Sequence, residues 1–444
     1  MVEMPLTRAN AAGIDVGSTF HAVAVPVGRD TERVRRFGAM TSDLQDLIAW
    51  LKACRIESVA MESTGVYWRS LFTALIENGF EAFLVNSTHL RNVTGRKTDE
   101  DDAMWIQKLH SCGLLKSSYL PDDEQSALRT VVRYRKTLTE DYSRCVLRMQ
   151  KSLELMNIKV YTVINDITGV SGTKIIEAIL KGERDSEKFI SLLDYRIKAD
   201  HQTIAKSLEG NWREEHLFTL GSSYELLKFF KGQIASCDGQ IEGYLEKFAA
   251  RQNEGIVNTL TEHAPQQKAP SKKKNKNSPP FNIRKYLHQI QGVDVLEIYG
   301  INEISGLQIL AETGTDLSKW ENEKHFTSWL NLCPNNKITG GKVFSSKLKK
   351  KKANIASQAF RHAANALQRS DHWLGDYFRR MKTKGGNKYA IVATANKIAT
   401  IYYKMVRYKE SFKPVDLIEY QMKRKQAKID YLERKLESLK KEAA

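Results

Sequence analysis

The strongest constraint on the fold is an alternation of apolar strands and amphipathic helices near the N-terminus. We predict strands at Gly13–Val27, Ser58–Ser63 and Phe80–Asn86, because each is a short apolar run bounded by polar or turn residues. Helices are predicted between them, one opened by a capping box from Ser42 to Gln45 and one over Tyr67–Glu77. Strands that alternate with helices in this way indicate an α/β domain.

The rest of the chain is predicted to be mostly helical. A long charged helix should run from Glu124 to about Met156, and helical patterns follow over 172–180 and 222–251. Prolines and lysines at 264–280 indicate a linker, and the last segment carries apolar residues at heptad spacing. We therefore expect an α/β domain (1–123), an elongated helical, coiled-coil region (124–262), a basic linker (263–280), a mostly helical domain (281–410) and a basic C-terminal helix (411–444).

Charge narrows the choice of partner. Lysines and arginines outnumber acidic residues by 69 to 52, giving a formal charge of +17, which favours nucleic acid. No apolar run approaches the roughly 20 residues of a membrane span, and no signal-peptide core is visible, so we expect a cytosolic protein. The five cysteines are far apart and form no CxxC pair, which argues against a zinc ribbon. Any metal should therefore be held by oxygen ligands.

Four acidic residues are candidates for such a metal site. Asp15 lies inside the first predicted strand, and Glu62 ends another. Asp99 and Asp102 lie one turn apart at the start of a helix, on one face. Taken singly, they could be surface carboxylates or acids that complement a helix dipole. Together they predict a cage for Mg²⁺ or Mn²⁺, and two such ions roughly 3.5–4 Å apart can support phosphodiester cleavage. Lys97 would lie near the scissile phosphate or be an ordinary solvated lysine.

Several segments, in their order, resemble one known family. GIDVGSTFHAVAV, MESTGVYW and KTDEDDA lie in the N-terminal part, and LCPNNKITGGKVFSSKLKKKKANIASQAFRHAA lies in the C-terminal part. With them the chain resembles, over nearly its whole length, the DEDD transposases of the insertion-sequence 110 family, also called bridge-RNA-guided recombinases. The resemblance implies a RuvC-like, ribonuclease-H-type first domain whose four acids are Asp15, Glu62, Asp99 and Asp102. It also implies a C-terminal transposase domain that supplies a nucleophilic hydroxyl.

The same resemblance implies an activity and its partners. The protein would be a Mg²⁺-dependent recombinase that cuts and exchanges DNA strands through a covalent intermediate. Its partners would be donor and target double-stranded DNA and a structured guide RNA, and it would form a tetramer with sites shared between subunits, at the bacterial or archaeal nucleoid. Two alternatives stay open. GIDVGST also resembles the first phosphate loop of the actin and hexokinase fold, and a catalytically silent DNA- or RNA-binding protein would have the same composition.

The expected nucleophile position departs from the family pattern. Family members usually carry serine in the segment NKISGGK, whereas this chain reads NKITGGK, so the matching residue is Thr339. A β-branched side chain restricts χ1 and crowds the approach to phosphorus. We expect a slower threonine nucleophile or an altered, inactive position. Ser345 and Ser346 could replace it only in a flexible loop, and Thr339 with its two glycines could simply be a turn.

A lysine cluster directly after this position is expected to neutralise phosphates, which would make binding steeply dependent on salt. Its members are Lys342, Lys347, Lys349, Lys350, Lys351 and Lys352. Basic residues of the linker (272–276) and of the C-terminal helix (423–428) are candidates for RNA contacts through shape and phosphate. The turn Ile298–Ile301 could hold a phosphate with its backbone amides, or it could be a packing corner between helices.

Overall fold

The computed structural model describes residues 5–63, 65–86, 98–164, 166–197, 199–254, 278–348 and 354–443. They belong to two compact units, residues 1–120 and 121–444. Most of the expected linker (263–280) lies outside the described residues, as do Lys97, Lys349, Lys350, Lys351 and Lys352. Among the described helices, none is long and apolar enough to cross a membrane.

The first unit is built on one five-stranded sheet. Its strands are β1 (Ala11–Val16), β2 (Phe20–Ala24), β3 (Val34–Gly38), β4 (Ser58–Glu62) and β5 (Glu81–Val85). Their order is β3-β2-β1-β4-β5, antiparallel from β3 to β1 and parallel from β1 to β5. The helices are α1 (Thr41–Ala53), α2 (Trp68–Glu77) and α3 (Asp99–Ser111). The predicted α/β class is confirmed, and the arrangement is consistent with the expected RuvC-like fold.

The two faces of this sheet pack against different helices. Because successive strand side chains alternate between faces, Ile14 and Met61 share one face, where they meet Leu47 of α1 and Leu71 of α2. The opposite face carries small residues, and α3 packs there through Ala103 and Ile106. The small residues are Ala22, Ala24 and Ala60. The sheet is thus covered on both sides, with α3 as the helix of the first unit that covers the second face.

The prediction of one strand over Gly13–Val27 is wrong, because this segment forms two strands, β1 and β2. The chain turns at Gly17, whose N–H donates to the carbonyl of Phe20 at 3.1 Å. A Cβ at Gly17 would lie 2.5 Å from that carbonyl oxygen, so the turn requires glycine. Strand β3 was not predicted, because its sequence VRRFG has only two apolar side chains.

The start of α1 also differs from the prediction. The helix begins at Thr41, and the N–H of Met40 donates to the carboxylate of Asp43 at 3.0 Å. The capping contact therefore lies two residues before the predicted box from Ser42 to Gln45. The remaining predicted strands and α2 are confirmed, with ends shifted by at most one residue.

A buried histidine in α3 makes the first unit sensitive to acid. His110 is fully buried, and its Nε2 lies 2.7 Å from the Ser58 hydroxyl. Burial, with a smaller effect from Arg8, lowers the pKa of His110 from 6.5 to about 4. The unfolded chain therefore binds this proton more readily than the folded one between these two values. The contribution of neutral His110 to the free energy of unfolding is fully present above pH 6.5 and is lost as the pH falls towards 4.

We predict that between pH 7 and pH 5 the free energy of unfolding falls by about 2 kcal/mol from this residue alone. Urea unfolding of the wild type and of His110→Gln, compared at both pH values, measures the effect. The glutamine variant should lose less stability on acidification, since it cannot bind the proton. Equal losses in both proteins would contradict the assignment.

The second unit begins with a helical region built around two long helices. Its helices are α4 (Asp123–Leu155), α5 (Val160–Val163), α6 (Val170–Leu180), α7 (Ser186–Ile190), α8 (His201–Ser207) and α9 (Glu214–Glu254). Helices α4 and α9 run antiparallel, since Glu124 pairs with Arg251 at one end and Ser152 contacts Thr219 at 3.0 Å near the other. The prediction of an all-helical middle region is confirmed.

The remainder of this unit is mostly helical, as predicted, with one unpredicted hairpin. Its elements are α10 (Ile283–Gln291), α11 (Glu303–Thr313), α12 (Glu323–Trp329), β6 (Asn335–Thr339), β7 (Lys342–Lys347), α13 (Ile355–Ala366), α14 (Trp373–Tyr408) and α15 (Leu417–Ala443). Phe326, Phe360, Tyr402 and Tyr403 form its aromatic centre. Helix α14 bends at Gly385 and Gly386, where the backbone is not helical.

A buried ion pair joins the two long helices. The guanidinium of Arg135 in α4 binds both carboxylate oxygens of Asp238 in α9, and both side chains are under a tenth exposed. We predict that Asp238→Ala costs about 3–5 kcal/mol of unfolding free energy, because it removes the carboxylate that the buried guanidinium binds with two hydrogen bonds. Glu140→Ala removes the exposed pair with Lys136 on the same helix and should cost at most about 0.5 kcal/mol. Urea unfolding compares them, and similar losses would contradict this ranking.

Candidate functional site

Two of the four predicted acids are placed by neighbouring strands of the sheet. Strands β1 and β4 are parallel, with Ile14 beside Met61. The next residue on each strand is Asp15 on β1 and Glu62 on β4, so both belong to the other face, the one that α3 covers. The fold therefore brings these two carboxylates to one side of the sheet.

A glycine allows α3 to lie close to this face. A Cβ on Gly13 would fall 2.2 Å from the Gln107 backbone nitrogen and 2.5 Å from the Ala103 carbonyl oxygen. Gly13 lies two residues before Asp15, on the same strand and the same face. Because no side chain separates strand from helix here, the first turn of α3 reaches the neighbourhood of Asp15.

The first turn of α3 carries four acids with different contacts. The Thr98 hydroxyl accepts a hydrogen bond from the Asp101 N–H and donates one to the Asp101 carboxylate at 2.7 Å, which caps the helix. Glu100 pairs with Arg36 at 3.1 Å on the surface. The other two, Asp99 and Asp102, interact electrostatically with Asp15. Dipole complementation alone therefore does not account for these two acids.

The four carboxylates share one electrostatic environment. Burial is the largest cause of a pKa of about 6 for Asp15, well above the ordinary 3.8. The negative charges of Asp99, Asp102 and Glu62 raise this pKa further, in that order. Asp15 is thus coupled electrostatically to the other three acids that the sequence singled out.

The donor set suits a hard divalent cation. All four side chains offer carboxylate oxygens, the ligands that Mg²⁺ and Mn²⁺ prefer, and a cation would offset the mutual repulsion that raises the Asp15 pKa. Within the described ranges, no three histidine, cysteine, aspartate or glutamate side chains are close enough together to ligate one ion as they stand. The carboxylates fit such an ion by chemistry and charge.

Thr339 lies in the second unit, at the tip of the β6–β7 hairpin. Gly340 and Gly341 have φ of +53° and +74°, so a two-residue turn with both residues in the left-handed region joins the strands. Thr339 is the last residue of β6 and is exposed. The interpretation of this segment as a turn is therefore correct in geometry, and the turn presents the hydroxyl to solvent.

The register of the hairpin separates the residues around Thr339 into two faces. Thr339 pairs with Lys342, and Lys337 pairs with Ser345, so these four side chains share one face. Lys347, opposite Asn335, belongs to the same face. Ser346 belongs to the other face, where its hydroxyl donates to Asn336 at 2.7 Å. Ser345 and Ser346 are thus in a strand rather than the flexible loop that their use as substitutes requires.

Sequence reasoning missed Lys337 and the hairpin itself. The signal was present, since Asn335–Thr339 and Lys342–Lys347 flank two glycines at the spacing of a tight hairpin. Neither strand has a buried face, so no regular apolar alternation marks them as strands.

The turn at Ile298–Ile301 has a packing role. Gly300 has φ of +91°, and a Cβ there would lie 2.5 Å from the Ala363 carbonyl oxygen of α13. The N–H of Ile301 donates to the Ile298 carbonyl at 3.1 Å. This supports the interpretation as a packing corner, and phosphate binding by its amides stays a prediction.

Comparison with known families identifies both parts of the chain. Residues 12–158 match a transposase family model that carries the DEDD and IS110 designations. Residues 294–379 match the model of the transposase IS116/IS110/IS902 family. The first match spans the four acids and the second spans Thr339. A search of curated proteins returns no significant match.

Proposed function

Because the chain belongs to the IS110 family of transposases, we propose that it cleaves and exchanges DNA strands through a covalent bond between Thr339 and a DNA phosphate, under the direction of a structured RNA. The observation that supports the proposal is the electrostatic coupling of Asp15 to Glu62, Asp99 and Asp102. The negative charges of the other three acids raise the pKa of Asp15, and a divalent cation would offset this repulsion. Divalent ions held by carboxylates can support cleavage of a phosphodiester.

The four acids would hold Mg²⁺ or Mn²⁺. The bound ions would stabilise the charge that develops on the attacking and leaving oxygens of the phosphodiester. The residues of this chain supply the rest. Asp15, half-buried beneath α3, anchors the set, and the cap formed by Thr98 and Asp101 fixes the first turn that carries Asp99 and Asp102.

Thr339 would supply the nucleophile. Its Oγ1 forms a bond to phosphorus, one bridging P–O bond breaks, and the released strand end takes up a proton. The hydroxyl end of a second strand then attacks the same phosphorus, and the proton returns to Thr339. One phosphodiester bond breaks for each that forms, so the exchange needs no ATP. Lys337 and Lys342, on the same face of the hairpin, would neutralise the phosphate.

We place the complete site between copies of the chain in a tetramer at the nucleoid, as the family resemblance implies. The C-terminal helix α15 supports self-association, because it exposes an apolar stripe at heptad spacing. The stripe consists of Ile418, Met422, Ile429, Leu432, Leu436 and Leu439, each about half exposed or more. Lys425 lies on the same seam.

Reconstituted strand exchange tests the proposal. The DNA that flanks the coding region is transcribed, and the purified protein is mixed with this RNA and with donor and target duplexes in Mg²⁺. We expect recombinant product only with protein, RNA and metal together. Exchange without RNA would contradict the guidance, and tight binding without any exchange would favour the catalytically silent alternative that the threonine suggests.

A further inference from the structure

The β6–β7 hairpin exposes apolar side chains that no described part of its own unit covers. Ile338 and Val343 are 62% and 57% exposed, and Phe344 is 84% exposed. A two-stranded ribbon with no buried face is marginally stable in water. These side chains therefore suit a ligand that would cover them when it binds.

The two faces of the hairpin differ in chemistry. One face carries Thr339 with Lys337, Lys342 and Lys347. The other face carries the pair Ile338 and Val343. A ligand that contacts Thr339 therefore also contacts the lysines on the same face. The apolar pair lies on the opposite face of the same hairpin.

Phe344 is placed by an irregularity in the ladder. Ile338 pairs with Val343, and Lys337 pairs with Ser345, so Phe344 is the extra residue of a β-bulge. A bulge bends its strand and redirects a side chain. The result is an aromatic ring in solvent, five residues after Thr339.

Charge identifies the class of ligand. From Pro334 to Ala353 the sequence contains no aspartate or glutamate and seven lysines. Such a segment matches a polyanion, whereas a protein partner would need a dense acidic patch. A two-stranded ribbon fits a DNA groove, and an exposed aromatic ring stacks on bases that have left the helix.

We propose that the β6–β7 hairpin is a DNA-binding ribbon in which Phe344 stacks on an unpaired base near the phosphate that its lysine face holds. This inference rests on the proposed function and adds a residue that holds DNA open during exchange. Strand exchange requires unpaired bases beside the broken bond, and stacking on an aromatic ring keeps such a base from re-pairing.

The test measures DNA binding without divalent ions, so that no cleavage is involved. A fluorescein-labelled duplex with a short central bubble is compared with the same duplex fully paired, by anisotropy. We expect the wild type to bind the bubble more tightly. Phe344→Ala should weaken binding to the bubble by about tenfold and hardly affect the paired duplex, while Phe344→Trp should retain the preference.

Two controls make the result decisive. Phe218→Ala removes another highly exposed phenylalanine, 76% exposed in α9, and should leave both affinities unchanged. Lys337→Gln should weaken binding to both duplexes alike and lower the salt dependence by about one counterion. Wild-type bubble binding by Phe344→Ala would overturn the inference. A changed oligomer mass in light scattering with unchanged DNA binding would also overturn it, since it assigns the ring to a protein interface.

The outcome is separable from that of the proposed function. If Phe344→Ala binds the bubble like the wild type while strand exchange proceeds, only the inference fails. If the wild type forms no covalent product, and Phe344→Ala nevertheless binds the bubble more weakly than the wild type, the inference stands and the proposed chemistry fails.

Discussion

Replacing Asp15 by Asn is expected to reduce DNA strand cleavage by about a thousandfold or more. The substitution keeps the shape of the side chain and removes the charge at the centre of the four-carboxylate set, and ions on phosphoryl oxygens contribute several kcal/mol to the transition state. Cleavage of a labelled duplex in Mg²⁺ measures the loss. Asp102→Asn should behave in the same way, and RNA binding should remain close to wild type in both.

Glu100→Gln provides the matched control for these variants. Glu100 lies in the same turn of α3 but pairs with Arg36 on the surface, so its removal should change cleavage less than twofold or so. Thermal unfolding separates catalysis from folding. Since Asp15 carries its charge at a cost, Asp15→Asn should unfold at the same or a higher temperature without metal. Near-normal cleavage by Asp15→Asn would remove the metal role of this set.

Replacing Thr339 by Ala is expected to remove the covalent protein–DNA product and to lower strand exchange by roughly a millionfold, to the background of a practical assay. The loss follows because no other hydroxyl occupies the tip of the hairpin next to the glycine turn. Thr339→Ser should retain activity and react faster, since an unbranched hydroxyl crowds phosphorus less. Denaturing gels of protein mixed with labelled DNA detect the product.

Ser345→Ala is the informative control for the nucleophile. Ser345 lies on the same face of the hairpin as Thr339, opposite Lys337, and would be the alternative hydroxyl on that face. Its removal should leave the covalent product intact. Loss of the product in Ser345→Ala with retention in Thr339→Ala would transfer the role to the serine.

The sequence predicted the fold where apolar patterns were strong. The strands around Ile14 and Met61 and the helices of the second unit bury regular apolar faces, so their patterns are visible. The β6–β7 hairpin was missed because its strands bury nothing, and β3 was missed because VRRFG is half polar. The two strands within Gly13–Val27 were predicted as one, because a single glycine within an apolar run is also compatible with a strand.

The sequence predicted which residues belong to the candidate site, but it did not predict the packing of α3 against β1 that brings their elements into contact. The order of the acids along the chain pointed to Asp15, Glu62, Asp99 and Asp102. The contact that brings α3 onto β1 depends on Gly13, whose missing side chain is meaningful only once the backbone of Gln107 lies against it. Similarly, the face that Ser345 shares with Thr339 follows from strand register, which a bulge at Phe344 shifts. Such long-range contacts and registers leave no local signature.

The most direct test of the account is the identity of the side chain that carries DNA. Trypsin cuts after Lys337, Lys342 and Lys347, so Thr339 falls in the peptide ITGGK, where it is the sole hydroxyl residue, and both serines fall in VFSSK. Protein trapped during strand exchange is digested with nuclease and trypsin, and the peptides are weighed by mass spectrometry. The account predicts a nucleotide on ITGGK. A nucleotide on VFSSK, or strand exchange with both peptides unmodified at every time point, would contradict it.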